Sequence, residues 1–379
     1  MVTATKSHDT IEAKYNVAVV GQTGVGKSTL IKYLYPEAKV ETGVGKPVTE
    51  RGFHEYSFEL KKGLPVKLFD SWGLEVGKED EWMCQLKNEL ERRGIDKPAQ
   101  EWFHSVFYCI AASSARVQDC DIKIIKTFIE NKYQVCVVLT KADLLSMDDE
   151  KKMIEAIKSS VKVEVIPVCN EEKITRSGKS SQFGKDDIEK RAFLDFFNSL
   201  IERLPPHCEK AMQNFVDQKI NNLCLRVDDG LGWGAFNESE FRSKLGGECD
   251  DIYRYIPEVA RAEFNKTIQL YGRFLSGLEY PPITQNLPSA MGGMFDFSKK
   301  PDAEMGVGEK ILFGAFATIF AVPALVYQFA WGKDEDVKKI KQEIQACRGR
   351  MRQSISGIVE DVTTVLKKAK LEAEHSVAD

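Results

Sequence analysis

Between residues 15 and about 204, short apolar runs alternate with stretches in which apolar residues recur every three or four positions. The runs "YNVAVV", "FHEYSFEL", "PVKLFD", "SVFYCIAA", "QVCVVL" and "VEVIPV" read as strands, the second and third joined as a hairpin. Residues 27–35, 79–93, 121–131, 148–159 and 186–203 read as the helices between and after them. Strands punctuated by helices of this length predict an α/β, mostly parallel sheet with helices on both faces. At "LPPH" two prolines are expected to stop the fifth helix, because each removes a backbone donor and crowds the preceding turn. Strand patterns then disappear. Helical periodicity returns at 207–227, at about 248–278 and at 334–373, with a Gly/Pro-rich connection after the second of these. The chain is therefore expected to comprise an N-terminal segment 1–14, an α/β domain 15–204 and an all-α helical domain 205–379.

In the last helix the apolar positions Val337, Ile340, Ile344, Cys347, Met351, Ile355, Ile358, Val362, Val365 and Ala369 step by three and four. This is a heptad seam with one inserted step, suited to packing on earlier helices of the same chain or to a coiled coil between chains. Before it lies "ILFGAFATIFAVPALVYQFAW", residues 311–331, in which only Thr318 and Gln328 are polar. At 1.5 Å per residue such a run spans about 31 Å, a hydrocarbon thickness. Two readings stay open: membrane contact, as a Pro323-kinked span or a shallow hairpin, or a helix buried within the helical domain.

The 379 residues are 43% hydrophobic, enough to bury a core in about two domains. The net charge is −4, and the parts before and after Pro205 carry 31 basic against 32 acidic and 22 against 25 residues, so no nucleic-acid partner is expected. Nine scattered cysteines without a metal-ligand spacing read as reduced thiols, and the mixed-charge N-terminus "MVTATKSHDTIEAK" lacks an export signal. A cytoplasmic location, with membrane association if 311–331 inserts, is the expectation.

The candidate chemistry begins at "VVGQTGVGKSTL", which follows a strand and opens a helix. Gly21, Gln22, Thr23, Gly24, Val25, Gly26, Lys27, Ser28 and Thr29 form a GxxxxGK[ST] loop. Its glycines let backbone N–H groups curl around a phosphate at a helix N-terminus. Lys27 supplies positive charge to the β- and γ-phosphates, and the Ser28 hydroxyl suits Mg²⁺. "FDSWGLE" ends the next strand but one with Asp70, placed to hold the metal through water, and Gly73, whose N–H can meet the γ-phosphate. The intervening loop "KVETGVGKPVTERG" offers Thr49 as a further metal ligand and γ-phosphate sensor, with Thr42 as the alternative. "VVLTKADLL" places Thr140, Lys141 and Asp143 after a strand. A carboxylate there accepts from guanine N1–H and its exocyclic amine, a donor pair that adenine lacks. After the last strand, Cys169 and Asn170 are the candidates to offer backbone N–H to guanine O6.

In this order, "GQTGVGKS", "PVT", "DSWG" and "TKAD" resemble the P-loop GTPase G domain over residues 15–204, with likeness to septin-like, Toc-like, immunity-related and dynamin-like GTPases. The resemblance implies a six-stranded sheet, GTP or GDP as ligand, Mg²⁺ as cofactor, GTP hydrolysis, and self-association through the G domain. It places Lys27, Thr49 and Gly73 in catalytic roles. Two departures stand out. "DSWG" replaces the commoner DTPG wording, and Leu74 occupies the place of the water-orienting glutamine of Ras-type members. A leucine cannot align a water, so slow basal hydrolysis is expected, on the order of 10⁻⁴ to 10⁻³ per second. Arg51 and Arg116 are candidates to act on a neighbouring copy. The rival expectation is a nucleotide-gated protein-binding switch with very slow hydrolysis and no membrane role. An Era-like ribosome-assembly role fits the acid-leaning C-terminal half less well.

Overall fold

The computed structural model describes residues 14–38, 52–60, 64–74, 77–114, 116–175, 178–228, 238–277 and 334–378. They divide into two compact units, Met1–Arg203 and Leu204–Asp379. The first unit is built on a six-stranded sheet of β1 (Tyr15–Gly21), β2 (Phe53–Leu60), β3 (Leu64–Ser71), β4 (Ser105–Ala111), β5 (Val135–Thr140) and β6 (Glu164–Val168). Their order is β2-β3-β1-β4-β5-β6, and β2–β3 is the one antiparallel pair. Strands β1 and β5 are buried along their whole length, as expected of central parallel strands covered on both faces.

Four helices follow strands of this sheet: α1 (Lys27–Leu34), α2 (Glu79–Arg92), α3 (Asp119–Glu130) and α4 (Met147–Ser160). α4 starts as its sequence suggests, with the Ser146 hydroxyl accepting from the Asp149 N–H. α3 starts with a reciprocal capping box between Gln118 and Asp121. A small hairpin of β7 (Lys173–Thr175) and β8 (Gly178–Ser180), not anticipated from its polar sequence, follows β6 and is closed by mutual hydrogen bonds between Cys169 and Phe183.

The expected stop at "LPPH" is not observed. Helix α5 runs from Lys185 to Asp228 with Pro205 and Pro206 inside it. Each proline forfeits one helical hydrogen bond and crowds a turn, at about 3 kcal/mol. Beyond them Cys208, Met212, Val216 and Ile220 recur every four residues and are all buried. At about 1.5–3 kcal/mol for each large apolar side chain, that burial offsets the break.

The second unit contains α6 (Glu238–Gly277), which begins ten residues before the expected 248, and α7 (Asp334–Ala378), which outlasts the expected 373 by five. On α7 the seam Ile340, Ile344, Cys347, Met351, Ile355, Ile358 and Val362 is buried within this one chain, continuing to Leu366. Arg348 and Arg352 reach Asp217 of α5 at 3.3 and 3.0 Å, and His207 of α5 meets Glu263 of α6 at 3.3 Å. No described helix is long and apolar enough to cross a membrane, and the run 311–331 lies outside the described residues.

Candidate functional site

The loop between β1 and α1 bends sharply because three glycines take φ values of +149°, +78° and +98° at Gly21, Gly24 and Gly26. At Gly21 a side chain would also collide with the Cys109 carbonyl on β4. Lys27, the first residue of α1, is buried and turns back over the loop, where Nζ donates to the carbonyls of Gly21 at 3.1 Å and Gln22 at 3.0 Å. Burial draws its ammonium below the usual lysine range, and the nearby Asp70 carboxylate opposes that shift.

Asp70 lies near the end of β3, beside α1, and is 1% exposed. The Ser28 hydroxyl donates to its Oδ2 at 3.3 Å, while Oδ1 has no hydrogen-bond partner among the described residues. Burial pushes this carboxylate up to about 6, against the opposing pull of Lys27 and Ser28. A buried carboxylate oxygen without a partner, next to a hydroxyl and a phosphate-type loop, is the donor set that a hard divalent cation satisfies. Ser28 and Asp70 therefore fit Mg²⁺.

Beyond β3 the chain passes directly across the loop. Gln22 and Leu74 form a parallel bridge, with Thr23 N–H donating to the Leu74 carbonyl at 3.1 Å and Leu74 N–H to that of Gly21 at 3.4 Å. The approach is so close at Gly73 that a Cβ there would lie 2.5 Å from Thr23 Cα and 2.7 Å from its nitrogen. Leu74 itself is buried in the cluster that contains Trp72, Trp82, Met83 and Leu86. Trp82 on α2 donates its indole N–H to the Trp72 carbonyl at 3.1 Å, which holds this segment in place.

On the other side, Thr140 at the end of β5 donates its hydroxyl to the Val25 carbonyl at 2.5 Å. Lys141 adopts a left-handed conformation with φ 57° and extends Nζ to the Gly24 carbonyl at 3.0 Å. Asp143 follows, half-buried, in a single helical turn over Ala142–Leu144. Thus "TKAD" and the phosphate loop are joined by two contacts across more than a hundred residues of sequence. Asn170 is buried at the end of β6 with its carbonyl accepting from Gln182. The Cys169 N–H is taken by the Phe183 carbonyl at 3.2 Å and is not free to be offered to a base. Arg116 is exposed, whereas Thr42, Thr49 and Arg51 lie outside the described residues.

One connection carried no sequence signal. Gln22 Nε2 donates to Asp121 Oδ1 at 3.0 Å, Tyr108 OH donates to the same oxygen at 2.7 Å, and the Gln118 N–H caps Oδ2 at 3.1 Å. This buried carboxylate ties the phosphate loop to the start of α3. It belongs to no motif, because its partners meet only when β1, β4 and α3 are assembled.

The sheet order, the glycine-rich turn between β1 and α1, and the converging Lys27, Ser28, Asp70 and "TKAD" define a P-loop GTPase domain, followed in the chain by a helical region. Within that class, the family described as 50S ribosome-binding GTPase matches residues 16–141. Among curated proteins the chain is similar to septin-14 of Mus musculus, 24% identical over 164 residues, covering 39% of this chain and 38% of the septin. It is also 24% identical over 187 residues to GTPase Der of Novosphingobium aromaticivorans, covering 48% of this chain and 39% of that protein. The chain spans about two-fifths of the length of these relatives. Among solved structures, Toc33 from Arabidopsis thaliana in complex with Mg²⁺ and GMPPNP is 16% identical, covers 51% of this chain and 87% of its own, and has a TM-score of 0.37.

Proposed function

We propose that this protein binds GTP with Mg²⁺ and hydrolyses it to GDP and phosphate, and that nucleotide state controls the helical region. The observation that carries this reading is Asp70, a buried carboxylate with one unpartnered oxygen between Lys27 and Ser28. In the proposed reaction, water attacks the γ-phosphate in line with the departing β-phosphate oxygen. Lys27 exchanges its loop carbonyls for the β- and γ-oxygens and offsets their growing charge. Backbone N–H groups of Gly24, Gly26 and Lys27 line the phosphates, and the Gly73 N–H meets the γ-oxygen. Asp143 accepts from the guanine edge, with the Lys141 stem along the base. Ser28 and Asp70, with Thr49 or Thr42 from the intervening loop, would hold Mg²⁺. Bound there, it would supply positive charge against the phosphate oxygens.

The buried Leu74 leaves the attacking water without an aligning side chain from this position. Turnover is therefore slow in a lone molecule and rises when a second G domain or another partner completes the site, for which Arg116, which is exposed, and Arg51 are candidates. Membrane contact through 311–331 belongs to the same proposal. The same leucine favours a second reading, a nucleotide-gated protein-binding switch with negligible hydrolysis.

The test is GTP turnover at increasing protein concentration, with and without liposomes, using Lys27→Ala as the blank. Turnover per molecule that climbs with concentration supports an assembling GTPase, and a further climb with lipid supports the membrane role. Tight GTP binding with a flat, slow rate favours the switch. Failure of the wild-type protein to bind GTP at all overturns both.

A further inference from the structure

The first turn of the phosphate loop, Gly21 to Val25, is held residue by residue from outside the loop. The Leu74 backbone bonds Gly21 and Thr23, the Lys141 ammonium bonds the Gly24 carbonyl, and the Thr140 hydroxyl bonds the Val25 carbonyl. Gln22 is held through its side chain: Nε2 donates to Asp121 Oδ1 on α3 at 3.0 Å and approaches Cys120 Sγ at 3.7 Å. Asp121 is 2% exposed. Its other bonds, from the Tyr108 hydroxyl to Oδ1 at 2.7 Å and from the Gln118 N–H to Oδ2 at 3.1 Å, fix the carboxylate between β4 and the start of α3. Burial, and then the Asp121 charge, push the Tyr108 phenol well above its ordinary range, so its hydroxyl stays a donor. Gln22 is thus anchored to a buried acceptor that is itself held in place.

We propose that Asp121 is a positioning residue for nucleotide binding: through the Gln22 amide it keeps the first turn of the phosphate loop curved when Lys27 leaves the loop carbonyls for the phosphates. This inference rests on the nucleotide reading above and deepens it. Lys27 Nζ donates to the carbonyls of Gly21 and Gln22 at 3.1 and 3.0 Å, so the loop's own lysine helps to hold its shape. Transfer of that ammonium to phosphate oxygens removes both bonds and leaves two carbonyl dipoles facing an anion. Gly21 and Gly24, both at positive φ, make other loop shapes accessible at little steric cost, so a turn released in this way opens unless something outside it holds on.

At Gln22 the bond to Asp121 is the hold that remains. It therefore contributes more in the nucleotide-bound loop than in the loop with Lys27 folded back, and an interaction with that difference tightens binding. Its acceptor is a carboxylate, which makes it stronger than a bond between neutral groups. Its loss is expected to weaken GTP and GDP alike, each about tenfold, because both present a β-phosphate to this loop.

The test measures equilibrium binding of N-methylanthraniloyl GTP and GDP to the full chain with Mg²⁺, with urea unfolding of each variant alongside. Gln22→Met keeps the side-chain length and removes the amide, and is expected to raise both Kd values about tenfold. Tyr108→Phe takes a donor from the same Asp121 oxygen without touching the loop. It is expected to lower stability and to leave both Kd values within about twofold of wild type. Gln22→Glu sets two carboxyl groups against each other and weakens binding. Adding Asp121→Asn gives the new carboxylate an amide donor, and is expected to tighten binding about fivefold or more in that background. In the wild-type background Asp121→Asn changes binding by less than about twofold, because the Gln22 amide turns over and accepts. Wild-type affinity in Gln22→Met overturns the inference and leaves the nucleotide reading standing. So does an equal loss of affinity in Tyr108→Phe, the mark of a general loosening of the region. No nucleotide binding by the wild-type protein overturns the nucleotide reading and this inference with it. If Gln22→Met fails to fold, the cycle of Gln22→Glu and Asp121→Asn decides, and absence of coupling between the two overturns the inference.

Discussion

Gly73→Ala tests whether the crossing of the phosphate loop by the segment after β3 is a steric requirement. The added Cβ would stand 2.5 Å from Thr23 Cα and 2.7 Å from Thr23 N. Ordinary contact at about 3.5 Å then demands a shift of about 1 Å. A shift of that size stretches the Thr23–Leu74 and Leu74–Gly21 hydrogen bonds, now 3.1 and 3.4 Å, beyond bonding range. With about 1 kcal/mol for each bond and 1–3 kcal/mol of overpacking strain, the expected loss of stability is about 3–5 kcal/mol. A displacement of 1 Å at a reacting group also costs about a hundredfold in rate. The assays are urea denaturation and GTP turnover on the same preparation. Thr23→Gly added to Gly73→Ala is not expected to rescue either, because the blocking atoms Cα and N remain. Full stability and turnover in Gly73→Ala, or full rescue by Thr23→Gly, would refute the reasoning.

Other outcomes follow from particular contacts. His104 is buried and neutral, accepts from the Asn16 N–H at 3.0 Å, and is drawn down to about 3 by burial and then by the Arg203 charge. As pH falls below 6.5 the unfolded chain takes up a proton that the folded state refuses until about 3, so stability is lost across this window, by up to about 5 kcal/mol. His104→Asn, which keeps an acceptor, should flatten that part of a pH–stability curve measured in urea. Asp143→Asn replaces an acceptor with a donor at the base edge and should shift nucleotide preference from GTP toward XTP by at least a hundredfold in competition binding. Arg203 is fully buried, donates to the carbonyls of Asn131 and Arg93, and lies over Tyr133. Arg203→Met should cost about 3 kcal/mol in thermal unfolding, because two charge-assisted hydrogen bonds to part-buried carbonyls are lost.

Local patterns in the chain already determined the α/β class, the strand and helix order of the first unit and the phosphate loop. Each rests on short-range chemistry: a glycine-rich turn between an apolar strand and a helix, or apolar residues at a fixed period. "LPPH" misled because local proline penalties were weighed without the buried face of Cys208, Met212, Val216 and Ile220 that continues beyond it. The β7–β8 hairpin went unseen because its pairing is held at the base by Cys169 and Phe183, fourteen residues apart in sequence. Tertiary structure alone decided that Gln22 meets Asp121, that Lys141 reaches Gly24, and that Leu74 turns into the core. These contacts join residues brought together by helix and sheet packing over tens to more than a hundred positions. A sequence period reports which face of an element is buried; the assembled fold sets which residue of another element meets it.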